Sequence, residues 1–317
     1  MCTSILINTD DNNNILARTL DLSEEICLKV TFVPRNYTWI NESDNSLNKT
    51  KYALIGMASN VYNHPAFSDG VNEKGLTCAS LYLNKLTRFD INNSDTKINI
   101  VAYNFILWVL SQFQNLDEVI SALKYINLVG NFKGITVEVP ALHWILSDSS
   151  SKSIVIEKTC EGLKVYNNPI GVLTNSPDFN TQVMNLYNYV SVTPYQKEDN
   201  MWGMFKLQAL SEGTGGLGLP GDFTSQSRFV RAAFLRNVIE PSPDEISGII
   251  NAFKILSNCT ILKGAIINNN NTFTYSRYVC AVCSKSCTYY YSMYEGNEIN
   301  AISLFKEDLN SSKRESR

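Results

Sequence analysis

Two apolar runs at the start of the chain set the strongest constraint on its fold. Residues 2–8 and 14–19 are strand-length stretches separated by Thr9-Asp10-Asp11-Asn12-Asn13, a polar spacer with hairpin chemistry. Cys2 therefore opens a paired strand and is not part of a loose tail. Much of the chain has the same character: residues 28–33, 52–58, 76–83, 135–139, 141–147, 153–158 and 162–166 also read as strands. Thr159-Cys160-Glu161 joins the last two as a second hairpin. Residues 275–282, 288–294 and 299–304 form a C-terminal meander that turns at Glu295-Gly296-Asn297.

Helical patterns are fewer. Residues 100–113 place Val101, Phe105, Trp108 and Val109 close to a 3.6-residue period. Residues 116–125 repeat this behind an acidic first turn, Asp117-Glu118. The stretch 227–238 follows Gly221-Asp222-Phe223-Thr224, and 244–256 follows Pro241-Ser242-Pro243, each with helix-start chemistry. Helical pairs set between blocks of strands predict an α+β chain, with antiparallel sheets flanked by helices. No composition break or linker divides the sequence, so residues 1–317 read as one domain.

The bulk composition removes several function classes. The 317 residues carry a net charge of -3 and only 18% charged residues, with no basic face for nucleic acid. The N-terminus is polar by residue 8 and lacks a basic leader, and no stretch approaches the roughly 20 apolar residues of a membrane helix. These features predict a cytoplasmic protein. Eight cysteines are too few for a disulfide scaffold and should be reduced there. Cys280, Cys283 and Cys287 form C-x2-C-x3-C, a spacing that invites a metal. With two histidines in the chain and no second ligand pair, the segment reads instead as a strand, and no metal is expected.

Cys2 has chemistry that the other seven cysteines lack. Removal of Met1 would leave it with a free α-amine, whose reference pKa of about 7.7–8.0 lies just below the thiol's value of about 8.5. A nucleophile that carries its own base needs no histidine. His64 and His143 are the two available, and His143, in Leu142-His143-Trp144-Ile145, reads as a core histidine. Arg18 and Asp21 lie on the strand paired with that of Cys2, where a guanidinium would favour thiolate and a carboxylate could orient the amine. Spacing alone leaves an ordinary Arg/Asp surface pair as the competing reading.

Longer motifs extend this pattern. Met1-Cys2-Thr3-Ser4 with Ala17-Arg18-Thr19-Leu20-Asp21 resembles the opening of the choloylglycine hydrolase family, the N-terminal-nucleophile hydrolases that include bile salt hydrolases and penicillin V acylases. The resemblance continues through Gly70-Val71-Asn72-Glu73-Lys74-Gly75-Leu76 and Ile170-Gly171-Val172-Leu173-Thr174-Asn175-Ser176-Pro177. It resumes at Gly215-Gly216-Leu217-Gly218-Leu219-Pro220-Gly221-Asp222-Phe223 and Ser227-Arg228-Phe229.

The resemblance implies a four-layer αββα sandwich, loss of Met1, no cofactor, a small-molecule amide substrate and a homotetramer. It assigns Cys2 the thiolate and the amine base, with Arg18 against the nucleophile and Asp21 holding the amine. Asn175, with the backbone N–H of Tyr82, would form the oxyanion hole, and Arg228 would set the electrostatics beside Cys2.

The substrate reading turns mainly on one position, although Thr193-Pro194 through Gly215-Gly216-Leu217-Gly218, and Cys283 with Tyr290, Tyr291 and Ile302-Ser303-Leu304, are also similar to the acylase branch. Bile salt hydrolases of the family usually carry asparagine where this chain has Tyr82, and the pair Leu81-Tyr82 is similar to penicillin V acylases. An aromatic ring there could stack on a phenoxyacetyl group. Penicillin V is thus the first expectation and a conjugated bile salt the alternative. Asn84 could supply the bile-salt-type asparagine if the strand register were shifted. An acyl-homoserine lactone acylase, or a non-catalytic binder on the same scaffold, completes the set.

Overall fold

The protein is described by a computed structural model, covering residues 1–61, 64–130 and 139–317. In chain order it forms strands β1 (Cys2–Asn8), β2 (Asn14–Leu22), β3 (Lys29–Val33), β4 (Thr38–Asn41), β5 (Ser46–Lys49), β6 (Leu54–Val61), β7 (His64–Phe67), β8 (Asp69–Asn72) and β9 (Thr77–Tyr82). Strand β10 (Ile98–Val101) leads into helices α1 (Phe105–Gln112) and α2 (Leu116–Ala122) and then into β11 (Ile126–Val129). Next come β12 (Leu142–Ser147), β13 (Ser153–Thr159), β14 (Gly162–Asn167) and the short β15 (Val172–Leu173). Helix α3 (Phe179–Asn185) precedes a hairpin of β16 (Asn200–Trp202) and β17 (Phe205–Leu207). Helices α4 (Ser225–Val238) and α5 (Glu245–Ser257) are followed by β18 (Tyr275–Cys283), β19 (Thr288–Met293), β20 (Asn300–Ser303) and β21 (Glu315–Ser316).

Among the described residues two large antiparallel sheets carry the fold. The first runs β15-β1-β2-β18-β19-β20, and the second β14-β13-β12-β9-β8-β6-β3-β21 with β7 beside β6. Their facing sides share a core that includes Leu16, Leu20, Val71, Ala79, Leu81, Cys280 and Tyr278. Ile249, Ala252 and Leu256 of α5 and Phe229 of α4 cover the outer side of the first sheet. Phe105, Trp108 and Val109 of α1 pack on Trp144, Leu146 and Cys78, covering the second. The layers are therefore helix, sheet, sheet, helix, as the expected αββα sandwich requires.

Local chemistry accounts for the element ends that matter most. Asp244 accepts the Ser247 N–H at 2.8 Å and starts α5 with a reciprocal capping box. Thr224 caps α4, which carries Arg228 in its first turn. The N-terminal hairpin pairs Cys2 with Leu20 and Ser4 with Arg18. Directly opposed residues share a face, so Cys2 and Arg18 both look into the space between the sheets. Asp21 and Thr19 look out toward α4.

Three expectations need adjustment. The helix read at 100–113 begins only at Phe105, because Ile98–Val101 is a strand paired in parallel with Ile126–Val129, with a 3-10 turn between. The helix read at 116–125 tightens to a 3-10 turn after Ala122. The strand read at 135–139 falls mainly on 131–138, outside the described residues. Cys280 lies opposite Arg18 in β18, Cys283 reaches Asn13 Oδ1 at 3.4 Å, and Cys287 reaches the Asn72 carbonyl at 3.2 Å. No three His, Cys, Asp or Glu side chains among the described residues are placed to share a metal ion.

Candidate active site

Cys2 sits at the mouth of the N-terminal hairpin and is fully buried with Met1 still attached. The Arg18 guanidinium donates to its sulfur at 2.8 Å. Both belong to the inter-sheet face, so the contact follows directly from the hairpin register. The Cys2 nitrogen donates to Asn175 Oδ1 at 2.8 Å. It is an amide in this chain, and an amide nitrogen cannot act as a base.

Arg228 approaches from α4 on the opposite side. It donates to the Cys2 carbonyl at 2.5 Å, to Thr3 Oγ1 at 2.6 Å and to Asn175 Oδ1 at 2.7 Å. The Asn175 Nδ2 donates to the Tyr82 carbonyl at 2.9 Å. In an antiparallel strand the N–H and C=O of one residue point to the same edge. Ser80 uses that edge of β9 to bond the Ser68 carbonyl at 2.9 Å. The Tyr82 N–H thus lies on the same edge, past the end of β8, on the side where Asn175 stands.

Asn175 is held from behind. Its N–H donates to Ser225 Oγ at 2.8 Å, and its carbonyl accepts from Gln182 of α3 at 3.0 Å. The carbonyl of Thr174 meets His143 Nε2 at 3.1 Å, and His143 Nδ1 meets Glu157 at 2.9 Å. His143 is therefore a core histidine with both ring nitrogens engaged, as its sequence context suggested.

Asp21 is beside the nucleophile through its backbone. Its N–H donates to the Met1 carbonyl at 2.8 Å, and its own carbonyl accepts the Met1 ammonium at 2.5 Å. Its carboxylate accepts from Ser276 Oγ at 2.6 Å and Thr19 Oγ1 at 3.3 Å. Residue 21 therefore flanks the very peptide bond whose cleavage would release the Cys2 amine.

The electrostatics are those of two buried cations around one sulfur. Burial pulls the Arg18 guanidinium down, but neighbouring Cys2, Tyr278 and Asp69 hold it well above its ordinary value. Burial lowers Arg228, offset in part by Asp21. Burial also pushes the Tyr82 phenol up to about 12, with Cys2 and Glu24 adding to the shift, so it is neutral at working pH. Its ring is half-buried and packs against both hydrophobic cores. Asn84, by contrast, lies past the end of β9 and is exposed, and its carbonyl accepts from Ser176 Oγ at 2.6 Å.

The structure thus gathers Cys2, Arg18, Asp21, Asn175, Arg228 and the Tyr82 backbone at one place. Sequence reasoning missed Asp69, Tyr278 and Tyr289, which pack beneath Arg18. The available signal was a carboxylate, Asp69, set in a strand beside Gly70 where an apolar residue is the norm.

Two facing antiparallel sheets between helices, with a cysteine at the head of the central hairpin, define the N-terminal-nucleophile hydrolase architecture. The chain belongs to the linear amide C–N hydrolases of the choloylglycine hydrolase family, whose model matches residues 2–316. It is 40% identical over 309 residues to a bile salt hydrolase/transferase of Clostridium perfringens, covering 98% of this chain and 94% of that one. A solved cysteine-to-alanine variant of the conjugated bile acid hydrolase from Clostridium perfringens superposes with a TM-score of 0.94. It has 38% identity and covers 100% of this chain and 96% of that one. The penicillin V acylase of Agrobacterium tumefaciens has a TM-score of 0.79 at 20% identity, covering 99% and 90% of the two chains, a likeness of fold alone. The chain is accordingly a hydrolase of linear amides.

Proposed function

We propose that this enzyme hydrolyses the amide bond of conjugated bile salts, with Cys2 as nucleophile after Met1 is removed. The observation that carries the substrate is the 40% identity, over nearly the full length of both chains, to a bile salt hydrolase/transferase. The expectation built on Tyr82 placed penicillin V first, and this similarity reverses the order. The physical reason lies in the packing of the Tyr82 ring against both cores. Its identity answers to the interior as well as to a ligand, and one side chain is a weak reporter of specificity.

In the proposed reaction the Cys2 thiolate, held by Arg18, attacks the amide carbonyl. The oxyanion forms between Asn175 Nδ2 and the Tyr82 N–H, displacing the bond that Nδ2 makes to the Tyr82 carbonyl. The freed α-amine of Cys2, oriented by Asp21 and the Asn175 Oδ1, takes the proton of the Cys2 thiol and, as the ammonium, gives it to the leaving amine. The same amine then activates water to hydrolyse the thioester. Arg228 keeps Asn175 oriented and adds positive potential.

The remaining expectations join this proposal. Residues 1–317 act as one domain, supported by β1 sharing a sheet with β18 and by β21 joining the sheet of β3. A reducing cytoplasmic setting is supported by eight free thiols. Assembly into a homotetramer is supported by the β16–β17 hairpin, where Trp202, Met204 and Phe205 are 71%, 99% and 68% exposed, a cluster of exposed apolar side chains of the kind that marks interaction surfaces. The deciding assay compares glycine- and taurine-conjugated bile salts with penicillin V. A kcat/KM at least about tenfold higher for a bile salt is expected, and a preference for penicillin V would overturn the substrate assignment.

A further inference from the structure

Beneath Arg18 lies a polar cluster that none of the six site residues accounts for. Asp69 opens β8 in the second sheet and is 1% exposed. Its Oδ1 accepts the Tyr289 hydroxyl at 2.6 Å and the Met57 N–H at 3.4 Å. Its Oδ2 accepts the Tyr278 hydroxyl at 2.5 Å and the Arg18 guanidinium at 3.3 Å. The two tyrosines come from β18 and β19 of the first sheet, so the cluster bridges the sheets directly under the nucleophile.

Arg18 is fixed by three oxygens on its far side. Its Nε donates to the Thr19 carbonyl at 3.1 Å, and its NH1 donates to the Ser68 carbonyl at 3.0 Å as well as to Asp69. This leaves NH2 aimed at the Cys2 sulfur at 2.8 Å. The backbone that bears Asp69 is itself clamped. A Cβ at Gly56 would stand 2.0 Å from the Asp69 carbonyl, so β6 and β8 approach more closely there than any side chain allows.

An unshared carboxylate would be a poor neighbour for this arrangement. In a buried site it would draw the guanidinium into a tight pair of its own and leave the thiolate with less of the charge. Two hydroxyl donors satisfy the carboxylate instead, through charge-assisted bonds. Burial, with Asp69 adding to it, holds the Tyr278 and Tyr289 phenols well above their ordinary values. Both therefore stay protonated and able to donate.

We propose that Asp69 is a positioning residue for the hydrolysis: it anchors Arg18 against the Cys2 sulfur, while Tyr278 and Tyr289 occupy its oxygens so that the guanidinium charge remains available to the thiolate. The inference rests on the reading of Cys2 as the nucleophile. An inter-sheet tie with no part in the chemistry would also explain a buried carboxylate, so its test must read the thiol itself.

The experiment uses the full-length processed enzyme, with Tyr278→Phe, Tyr289→Phe, the double variant and Asp69→Asn. Alkylation of Cys2 by iodoacetamide is followed against pH on the N-terminal peptide by mass, because Cys27 and Cys160 are exposed and will react too. Removing both hydroxyls is expected to raise the midpoint of Cys2 alkylation by about one pH unit. It should also lower kcat about tenfold or more with KM changed less than about twofold.

Asp69→Asn removes the competing anion and is expected to move the midpoint down, while kcat still falls because Arg18 has lost its anchor. Opposite shifts of the thiol are a signature that a purely structural tie would not produce. A folded double phenylalanine variant with the wild-type midpoint overturns the proposal, as does a shift of both variants in one direction. If Asp69→Asn does not fold, the tyrosine variants decide alone. The alkylation readout does not use the amidase reaction. A Cys2→Ala enzyme that still cleaves the amide would overturn the reading of the site, whereas an unmoved midpoint would overturn only the role of Asp69.

Discussion

Arg228 donates to the Asn175 side-chain oxygen at 2.7 Å, while the nitrogen of the same amide faces the Tyr82 carbonyl at 2.9 Å. A guanidinium can only donate, so this contact dictates which end of the amide is which. The Cys2 nitrogen bonds to the same oxygen at 2.8 Å, and the two donors together prevent the amide from flipping. The Nδ2 is thereby presented to the edge of β9, where a developing negative charge would need it. Preorganised donors of this kind stabilise a transition state without reorganising during the reaction.

Replacing Asn175 with alanine should therefore lower kcat by about 10²–10³-fold and change KM little. Steady-state kinetics on a conjugated bile salt would measure it. A loss smaller than about tenfold would mean that the oxyanion is held elsewhere.

Removal of Arg18 should cost both stability and reactivity. Arg18→Met leaves the Asp69 carboxylate buried without its cationic partner, a change that typically destabilises by about 3–5 kcal/mol. Urea unfolding would show this, and alkylation of Cys2 at neutral pH should slow in parallel. Unchanged alkylation in a folded variant would contradict the contact between Arg18 and the thiol.

Much of the site was legible because it is local. The hairpin of residues 2–8 and 14–19 has polar turn residues and strand-length arms, so the pairing of Cys2 with the neighbourhood of Arg18 follows from counting. Asn175 and Arg228 were legible only as parts of longer motifs, since nothing in their spacing says that β15 and α4 converge on β1. Asp69 was legible only as a carboxylate out of place in a strand, and Tyr278 and Tyr289 were not legible as its partners. They meet across two stacked sheets, and stacking registers leave no trace in the periodicity of either strand. The start of the misread helix, Ile100 and Val101, shows the same limit. Ile98–Val101 is a strand because Ile126–Val129 lies beside it, a distant partner that a local apolar period cannot reveal. Helix α3 escaped notice because it is short, although Asp178 caps it by accepting the Thr181 N–H at 3.1 Å.

The loop ahead of α4 carries a pH dependence of its own. Asp222 accepts from Ser227 Oγ at 2.6 Å and from the Thr224 N–H at 2.8 Å, and these bonds hold its carboxyl down to about 2. A depressed carboxylate contributes stability that is complete above the unfolded value of about 3.9 and is lost as pH falls through the folded one. The stability difference between the wild type and Asp222→Asn should thus be largest above about pH 4 and shrink toward pH 2. The site is exposed, so the effect should be small. Thermal unfolding across that range would check it, and a gap that widened on acidification would contradict the assignment.

The exposed hairpin makes a prediction about assembly. Trp202→Ser combined with Phe205→Ser should shift the protein from a tetramer to smaller species in sedimentation equilibrium, without loss of fold. A wild-type protein that is monomeric at micromolar concentration, or a variant that remains tetrameric, would contradict that role for β16–β17.

The central claim is that Cys2, freed of Met1, carries the acyl group through the reaction. The most direct measurement is mass spectrometry of the enzyme quenched in acid during turnover of a glycine-conjugated bile salt. The account predicts an N-terminal peptide that begins at Cys2 and bears the bile acyl group as a thioester, and no such adduct in Cys2→Ala. An active enzyme that retains Met1, or an adduct on any other residue, would contradict it.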